Sequence, residues 1–190
     1  MNFLAHLWLT DRAGLPLAGA ILGDVLHGAL PAHMPEPLAH SVRLHRAVDA
    51  RTDRHPRVVA ARGRFAPGAR RYAGIVLDLL FDHALALDWP AFSAQPLREF
   101  AERAAREVQL GRSWFEHAGA PAPDAARFSA LLQSYAEAGG IQLAIQRTAG
   151  RLRLPDGLLR AAAGWPERLP GLRHDLPFVM EDLARGPPPT

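Results

Sequence analysis

Asp24 is a residue whose type and position in the sequence could support chemistry. At about 100° per residue, Leu17, Ile21 and Asp24 fall within one arc of a helix predicted over residues 16–30, which puts the carboxylate on an apolar face. An isolated buried charge is too costly to leave uncompensated. The choices are a structural hydrogen bond such as a cap, a salt bridge, a protonated acid or a metal ion. For Asp24 alone, a structural hydrogen bond is the simplest.

A second polar pair lies on the next predicted helix, over residues 37–50. Val42, His45 and Asp49 share one face, and Asp53 lies one further turn along if the helix persists. Because His45 and Asp49 are spaced i, i+4, their side chains are expected to be neighbours. Such a pair is a histidine oriented by its carboxylate, two metal ligands, or a core histidine whose N–H is satisfied.

A third group lies on the helix predicted over residues 70–87, which is apolar nearly all round. Asp78 and Asp82 are one turn apart on one face of it, and His83 is adjacent to Asp82. Two carboxylates this close repel, so one pKa rises strongly unless a metal ion or an arginine lies beside them. Three helices that each bring a carboxylate or an imidazole into an apolar face favour a metal site.

The donors are imidazoles and carboxylates only, which suits Mn²⁺, Fe²⁺ or Mg²⁺. A bound divalent ion lowers the pKa of water and neutralises charge on a phosphoryl oxygen, which is hydrolytic chemistry. Arg46, Arg70 and Arg71 are candidates to hold the remaining phosphate charge. The sequence contains no Gly-rich phosphate loop, no G-x-S-x-G and no H-E-x-x-H, so NTPases, serine hydrolases and zincins have no support.

The elements that must position these residues are helices, and the predicted fold class is all-α. Ala and Leu far outnumber β-branched residues, and no alternating strand pattern occurs. We expect one compact helical domain over residues 1–185 and a disordered tail over residues 186–190. Helices are predicted over residues 2–10, 16–30, 37–50, 56–65, 70–87, 96–115, 124–138, 141–152 and 176–185.

The amino-acid composition limits the classes of partner that the protein is expected to bind. All 22 basic residues are arginine, but the net charge is only +3, the arginines are spread along the chain, and aromatic residues make up 7%. These values argue against a nucleic-acid surface and leave an acidic partner open. Cysteine is absent, and four polar residues interrupt the most apolar window, residues 73–89. A cytoplasmic protein with no membrane span is therefore expected.

Four separated motifs resemble the acyl carrier protein phosphodiesterase family, in order and in spacing across the first 90 residues. They are Asn2-Phe3-Leu4-Ala5-His6-Leu7; Gly23-Asp24; Leu44-His45-Arg46 with Asp49, Thr52-Asp53 and His55-Pro56; and Arg70-Arg71-Tyr72-Ala73-Gly74-Ile75 with Asp78 and Phe81-Asp82-His83. The second half of the chain matches only loosely.

The resemblance implies a helical fold related to the His-Asp phosphohydrolases and a divalent metal, usually Mn²⁺. It also implies hydrolysis of the phosphodiester that joins 4′-phosphopantetheine to a serine of acyl carrier protein, a small acidic helical protein. The family's polar positions fall here on His6, Asp24, His45, Asp49, Asp78, Asp82 and His83. Asp24, Asp82 and His83 are expected to converge on one metal ion, together with His6 or His45.

Two other functions fit the same residues. One keeps the metal chemistry but acts on a nucleotide or another small phosphoester. The other is a non-catalytic helical binding protein whose buried Asp and His residues form only a salt-bridged core. Metal analysis separates the last reading from the first two. The oligomeric state cannot be read from the sequence.

Overall fold

Helices form the regular structure of residues 1–186, which are the residues that the computed structural model describes. This part of the chain has no strand, so the predicted all-α class is confirmed. No helix in it is long and apolar enough to cross a membrane. The tail predicted to be disordered lies, from residue 187 onward, outside the described residues. The helices are α1 (Phe3–Arg12), α2 (Leu17–Leu22), α3 (Glu36–Arg54), α4 (Pro56–Gly63), α5 (Arg70–Leu87), α6 (Leu97–Leu110), α7 (Arg112–His117), α8 (Ala125–Ser134), α9 (Ala138–Gly150), α10 (Pro155–Ala162) and α11 (Trp165–Ala184).

Helix α5 is the central element, and it has the bounds that the sequence predicted. It is buried along most of its length and packs against α1, α4, α9, α10 and α11. The buried apolar side chains of the described residues join into one continuous core around it. Polar groups on α5 therefore need partners inside the fold.

Two glycines allow α2 to pack closely on α3. A Cβ at Gly19 would lie 2.3 Å from the Ser41 hydroxyl oxygen, and a Cβ at Gly23 would lie 2.2 Å from the His45 ring. Helix α2 ends at Leu22 rather than at residue 30, because the chain turns at Gly23 and again at Gly28, whose φ is +72°. The expectation that Asp24 lies on an apolar helix face is therefore wrong.

The second half differs more from the expected helices. The helix predicted over residues 96–115 divides at Gly111 into α6 and α7, and α10 was not predicted. Helix α11 begins at Trp165 rather than at residue 176, although it contains Pro170 and Pro177. Both prolines are exposed, and so are Pro166 and Arg173, whose carbonyls lose an N–H partner, so these carbonyls lie where water reaches them. The opposite face packs into the core through Leu172, Leu176, Val179, Met180 and Leu183.

Candidate metal centre

Helices α1 and α3 bring two histidines and one aspartate together. The His6 Nε2 lies 3.0 Å from Asp49 Oδ1, and the His45 Nε2 lies 3.2 Å from Asp49 Oδ2. The two imidazole rings stack with their centroids 3.9 Å apart. Both histidines are buried, whereas the Asp49 carboxylate is 44% exposed. One carboxylate therefore bridges two buried imidazoles at the protein surface.

The three groups have unequal proton affinities. Complete burial lowers the pKa of His6 to about 4, against the opposing effect of Asp49. Burial also disfavours the charged form of His45, but the carboxylates of Asp24 and Asp49 outweigh it and raise the pKa of His45 to about 9. Burial alone would raise the pKa of Asp49, but His45 and His6 hold it well below its usual range. At neutral pH, His6 is therefore neutral, His45 is cationic and Asp49 is ionised.

The Nδ1 atoms of the two rings have different surroundings. The His45 Nδ1 donates to the Ala20 carbonyl at 2.8 Å, which fixes the ring and directs Nε2 toward Asp49. A backbone partner of this kind is what orients metal-binding histidines in proteins. The buried His6 Nδ1 has no hydrogen-bond partner among the described residues.

Asp24 and Asp78 lie next to the two histidines and the Asp49 carboxylate that bridges them. Asp24 lies in the turn after α2, is 48% exposed, and places Oδ1 3.5 Å from the His45 Nε2. Asp78 Oδ1 lies 3.2 Å from the Met1 amino group, which is 3.3 Å from Asp49 Oδ1. Burial raises the pKa of Asp78, although the amino group opposes it. Asp24, His45, Asp49 and Asp78 thus lie, together with His6, around one point at the protein surface.

Asp82 has a different role from the one that the sequence suggested. Its Oδ2 accepts from the Leu4 N–H at 2.7 Å and its Oδ1 from the Ala5 N–H at 3.1 Å. These are second and third residues of α1, whose N-cap residue Asn2 makes no capping bond of its own. Complete burial raises the pKa of Asp82 to about 7, against the two N–H groups that favour the ionised form. Asp82 therefore caps α1 from another helix and holds the helix that carries His6.

His83 contacts residues of the second half of the chain. Its Nδ1 donates to the Tyr135 carbonyl at 2.5 Å, and its ring meets the edge of Trp165. The Tyr135 hydroxyl in turn accepts from the Asn2 side chain at 2.9 Å. Consecutive residues of a helix point about 100° apart, so Asp82 and His83 hold different parts of the fold. The ligand atoms that lie together are those of His6, His45 and Asp49, and the expected convergence of Asp24, Asp82 and His83 on one ion stays a prediction.

The three arginines singled out from the sequence are engaged elsewhere. Arg46 donates to the Leu26 and Gly28 carbonyls at 2.6 and 2.8 Å and so fastens the turn that follows α2. The Arg70 Nε donates to the Phe65 carbonyl at 3.2 Å, and Arg71 lies over the Tyr72 ring. None of them lines the pocket beside the metal cluster.

That pocket has a volume of about 310 Å³, at the lower end of the ~300–1,000 Å³ typical of small-molecule sites. Asp24 and Asp78 lie in its wall, which joins it to the metal cluster. Its arginines are Arg147, in the last turn of α9, and Arg151, directly after that helix. The sequence analysis missed both, because nothing in their local pattern separates them from the other arginines. Apolar lining comes from Phe3, Ile75, Leu79, Leu131 and Ala144.

The donors of His6, His45 and Asp49 fit a divalent metal ion. Their ligand atoms all lie within 4.8 Å of one another. Ligands at ~2.0–2.2 Å from one ion lie within about 4.4 Å of each other, so small side-chain movements suffice. The mixed imidazole and carboxylate set is one that Mn²⁺, Fe²⁺ and Zn²⁺ accept. The structure thus combines an all-α fold with a donor set and a pocket that suit a metal-dependent hydrolase.

Comparison with known proteins supplies the family. The model of the family described as acyl carrier protein phosphodiesterase matches residues 1–181. The chain therefore belongs to the acyl carrier protein phosphodiesterase family. No solved structure matches it.

Curated relatives with this name match part of the chain. The relative from Photorhabdus laumondii is 42% identical over 47% of this chain and 45% of its own length. Relatives from Enterobacter sp. (strain 638) and Salmonella agona are each 38% identical, over 58% and 57% of this chain and 58% and 56% of their own lengths. The chain thus matches about half of the length of these relatives.

Proposed function

We propose that this protein is a divalent-metal-dependent phosphodiesterase that releases 4′-phosphopantetheine from holo acyl carrier protein and leaves the apo carrier protein. The observation that carries the proposal is the grouping of His6, His45 and Asp49 beside a pocket whose wall holds further carboxylates. Family membership over residues 1–181 supports the same activity, as do the names of the relatives.

We assign the metal to His6, His45 and Asp49, with Asp24 as the neighbouring carboxylate. Mn²⁺ is the ion that we expect, with Mg²⁺ or Fe²⁺ as substitutes. When bound, a divalent ion lowers the pKa of water and offsets the charge of a phosphoryl oxygen. The grouping of His and Asp ligands on helices is in keeping with the proposed relation to the His-Asp phosphohydrolases.

The chain's own groups provide the proton transfers that hydrolysis needs. Water adds to phosphorus and the bond from phosphorus to the serine oxygen breaks, so water loses a proton and the serine oxygen gains one. Asp24 Oδ1, exposed in the pocket wall, is placed to take the proton from water. The Asp78 carboxyl, whose pKa burial raises, is placed in the same wall to hold the proton that the serine oxygen receives. Asp82 and His83 are positioning residues, since their contacts hold α1 and Tyr135.

The test is a substrate panel for the chelator-treated protein with added Mn²⁺. We expect conversion of holo to apo carrier protein, seen as a change in gel mobility, with slower hydrolysis of bis(p-nitrophenyl) phosphate and of cyclic nucleotides. Asp49→Asn should lose Mn²⁺ binding and hydrolysis together, because Asp49 bridges both imidazoles. Hydrolysis of the small phosphoesters alone would replace the proposed substrate. Failure to bind metal would leave a non-catalytic binding protein.

A further inference from the structure

Helix α9, helix α10 and the loop between them form the surface from which the inference is drawn. Four arginines on this segment are exposed: Arg147, Arg151, Arg153 and Arg160. None of their guanidinium groups makes an ion pair or a hydrogen bond within residues 1–186, and Asp156 is the one acid between residues 138 and 163. Several other arginines are paired, as Arg103 is with Asp11 at 2.8 Å. Four unpaired arginines within 14 residues, beside a single acid, concentrate positive charge on this segment, whose surface we call the α9–α10 surface.

Large apolar side chains are exposed on the same segment. Leu143 is 42% exposed, Leu154 59% and Leu159 40%, which is three of the seven exposed large hydrophobic residues of the described chain. Single exposed leucines are common, but three beside four unpaired arginines make a mixed apolar and cationic surface. Such a surface suits a partner that has acidic and apolar side chains together.

The α9–α10 surface continues into the pocket beside the metal cluster. Arg147 and Arg151 lie in the pocket wall together with Asp24 and Asp78, whereas Arg153 and Arg160 lie outside it. A partner docked on the outer arginines would thus bring a flexible attached group to the mouth of the pocket. The pocket's own arginines would meet an anionic part of that group.

We propose that the α9–α10 surface docks an acidic helical protein, which under the proposed function is the carrier protein itself. The inference rests on that function for the partner's name and on charge complementarity for the surface. Arg153 and Arg160 contact only the protein, while Arg147 and Arg151 also contact the phosphate of the attached arm. The second half of the chain, which resembles the family less closely than the first, therefore carries the residues that recognise the substrate.

The test compares two double variants that remove the same charge. Arg153→Ala with Arg160→Ala changes the surface, and Arg106→Ala with Arg127→Ala is the matched control, since these arginines are exposed on α6 and α8 without ion pairs in the described chain. Binding of holo carrier protein is measured by fluorescence anisotropy in chelator, which prevents turnover. We expect the Kd to rise about tenfold for the surface variant and less than about twofold for the control.

Two further measurements separate the docking proposal from the proposed function. With Mn²⁺, the surface variant should hydrolyse bis(p-nitrophenyl) phosphate at the wild-type rate, because Arg153 and Arg160 lie outside the pocket. Weaker carrier binding by the variant, when even the wild-type protein hydrolyses nothing, would keep the docking surface and remove the function. An unchanged Kd, an equal loss in the control, or tighter binding to a DNA or RNA oligonucleotide than to the carrier would overturn the docking surface. Thermal unfolding of both variants checks that they are folded.

Discussion

Asp49 is the residue on which the proposed metal site depends, because one carboxylate contacts both buried imidazoles. Its oxygens lie 3.0 and 3.2 Å from the two Nε2 atoms, so each ring has its own oxygen. The i, i+4 spacing of His45 and Asp49 made them neighbours in the sequence analysis. The third partner, His6, comes from a helix that is distant in sequence. Two carboxylates beside His45 then give the ring a proton that a metal ion must displace.

Metal affinity should therefore rise with pH. His45 binds metal through a neutral nitrogen, but its pKa is raised to about 9 in the metal-free protein. Below this pKa each unit of pH should raise the Mn²⁺ affinity about tenfold, and the increase should level off toward pH 9. Isothermal titration at pH 6.5, 7.5 and 8.5 measures it. In Asp24→Asn, which removes one carboxylate beside His45, the increase should level off at a lower pH. An affinity that does not change with pH contradicts the assignment of His45.

Asp82→Asn should destabilise the protein while leaving its metal stoichiometry unchanged. An amide has only one acceptor oxygen, so one of the Leu4 and Ala5 N–H groups would face an NH₂ donor. We expect a loss of about 1–3 kcal/mol in urea unfolding.

Asp156→Asn is the control for this change, because Asp156 is exposed and makes no side-chain hydrogen bond within residues 1–186. It should change stability by about 0.5 kcal/mol or less. Loss of bound Mn²⁺ from folded Asp82→Asn protein, at wild-type stability, would instead make Asp82 a ligand.

At the scale of elements, the close approach of α2 to α3 sets the position of His45. The ring packs directly on the backbone of Gly23, and its Nδ1 donates to Ala20 of the same helix. Helix α1 is fixed at its N-terminus by Asp82 of α5, and Tyr135 holds Asn2. Helix α1, which carries His6, is thus held by Asp82 of α5. Helix α3, which carries His45, is held by its close packing on Gly23.

Gly23→Ala should disturb both stability and metal binding. The new Cβ would lie 2.2 Å from the His45 ring, which is confined by the Ala20 carbonyl and cannot move away freely. Overpacking of this kind costs about 1–3 kcal/mol, and displacement of the ring should weaken Mn²⁺ binding. Urea unfolding and metal titration measure the two effects.

The matched control is Gly63→Ala, since a Cβ at Gly63 in α4 would meet nothing within 4 Å. It should leave metal binding unchanged and raise stability slightly, because alanine favours a helix more than glycine does. Equal behaviour of the two variants would contradict the close-packing account of His45.

The helices were predictable where local signals mark them: α5 is apolar nearly all round and has the predicted bounds, and α4 begins at Pro56 as predicted. They were not where tertiary contacts override local signals. Helix α2 ends at Leu22, where the chain turns, and the contact of Gly23 with the His45 ring that follows is invisible in the sequence. Helix α11 contains Pro170 and Pro177, which normally end a helix but are tolerated on its exposed face.

At the scale of the whole molecule, the site is assembled from α1, the turn after α2, α3 and α5. Helical spacing predicted that His45 and Asp49 are neighbours, the family resemblance added His6, Asp24 and Asp78, and these five residues do lie together. It did not separate ligands from supports, because Asp82 and Asp49 look alike in sequence. Arg147 and Arg151 were not found at all, since only the packing of α9 against α5 places them beside the pocket.

The most direct test of the central claim is the mass of holo acyl carrier protein after incubation with this protein and Mn²⁺. We expect the carrier to lose one phosphopantetheinyl group and become the apo form, and free 4′-phosphopantetheine to appear in equal amount. Asp49→Asn, which breaks the bridge between the imidazoles, should leave the carrier intact under the same conditions. A carrier that keeps its mass with the wild-type protein, while that protein demonstrably binds Mn²⁺, would contradict the account.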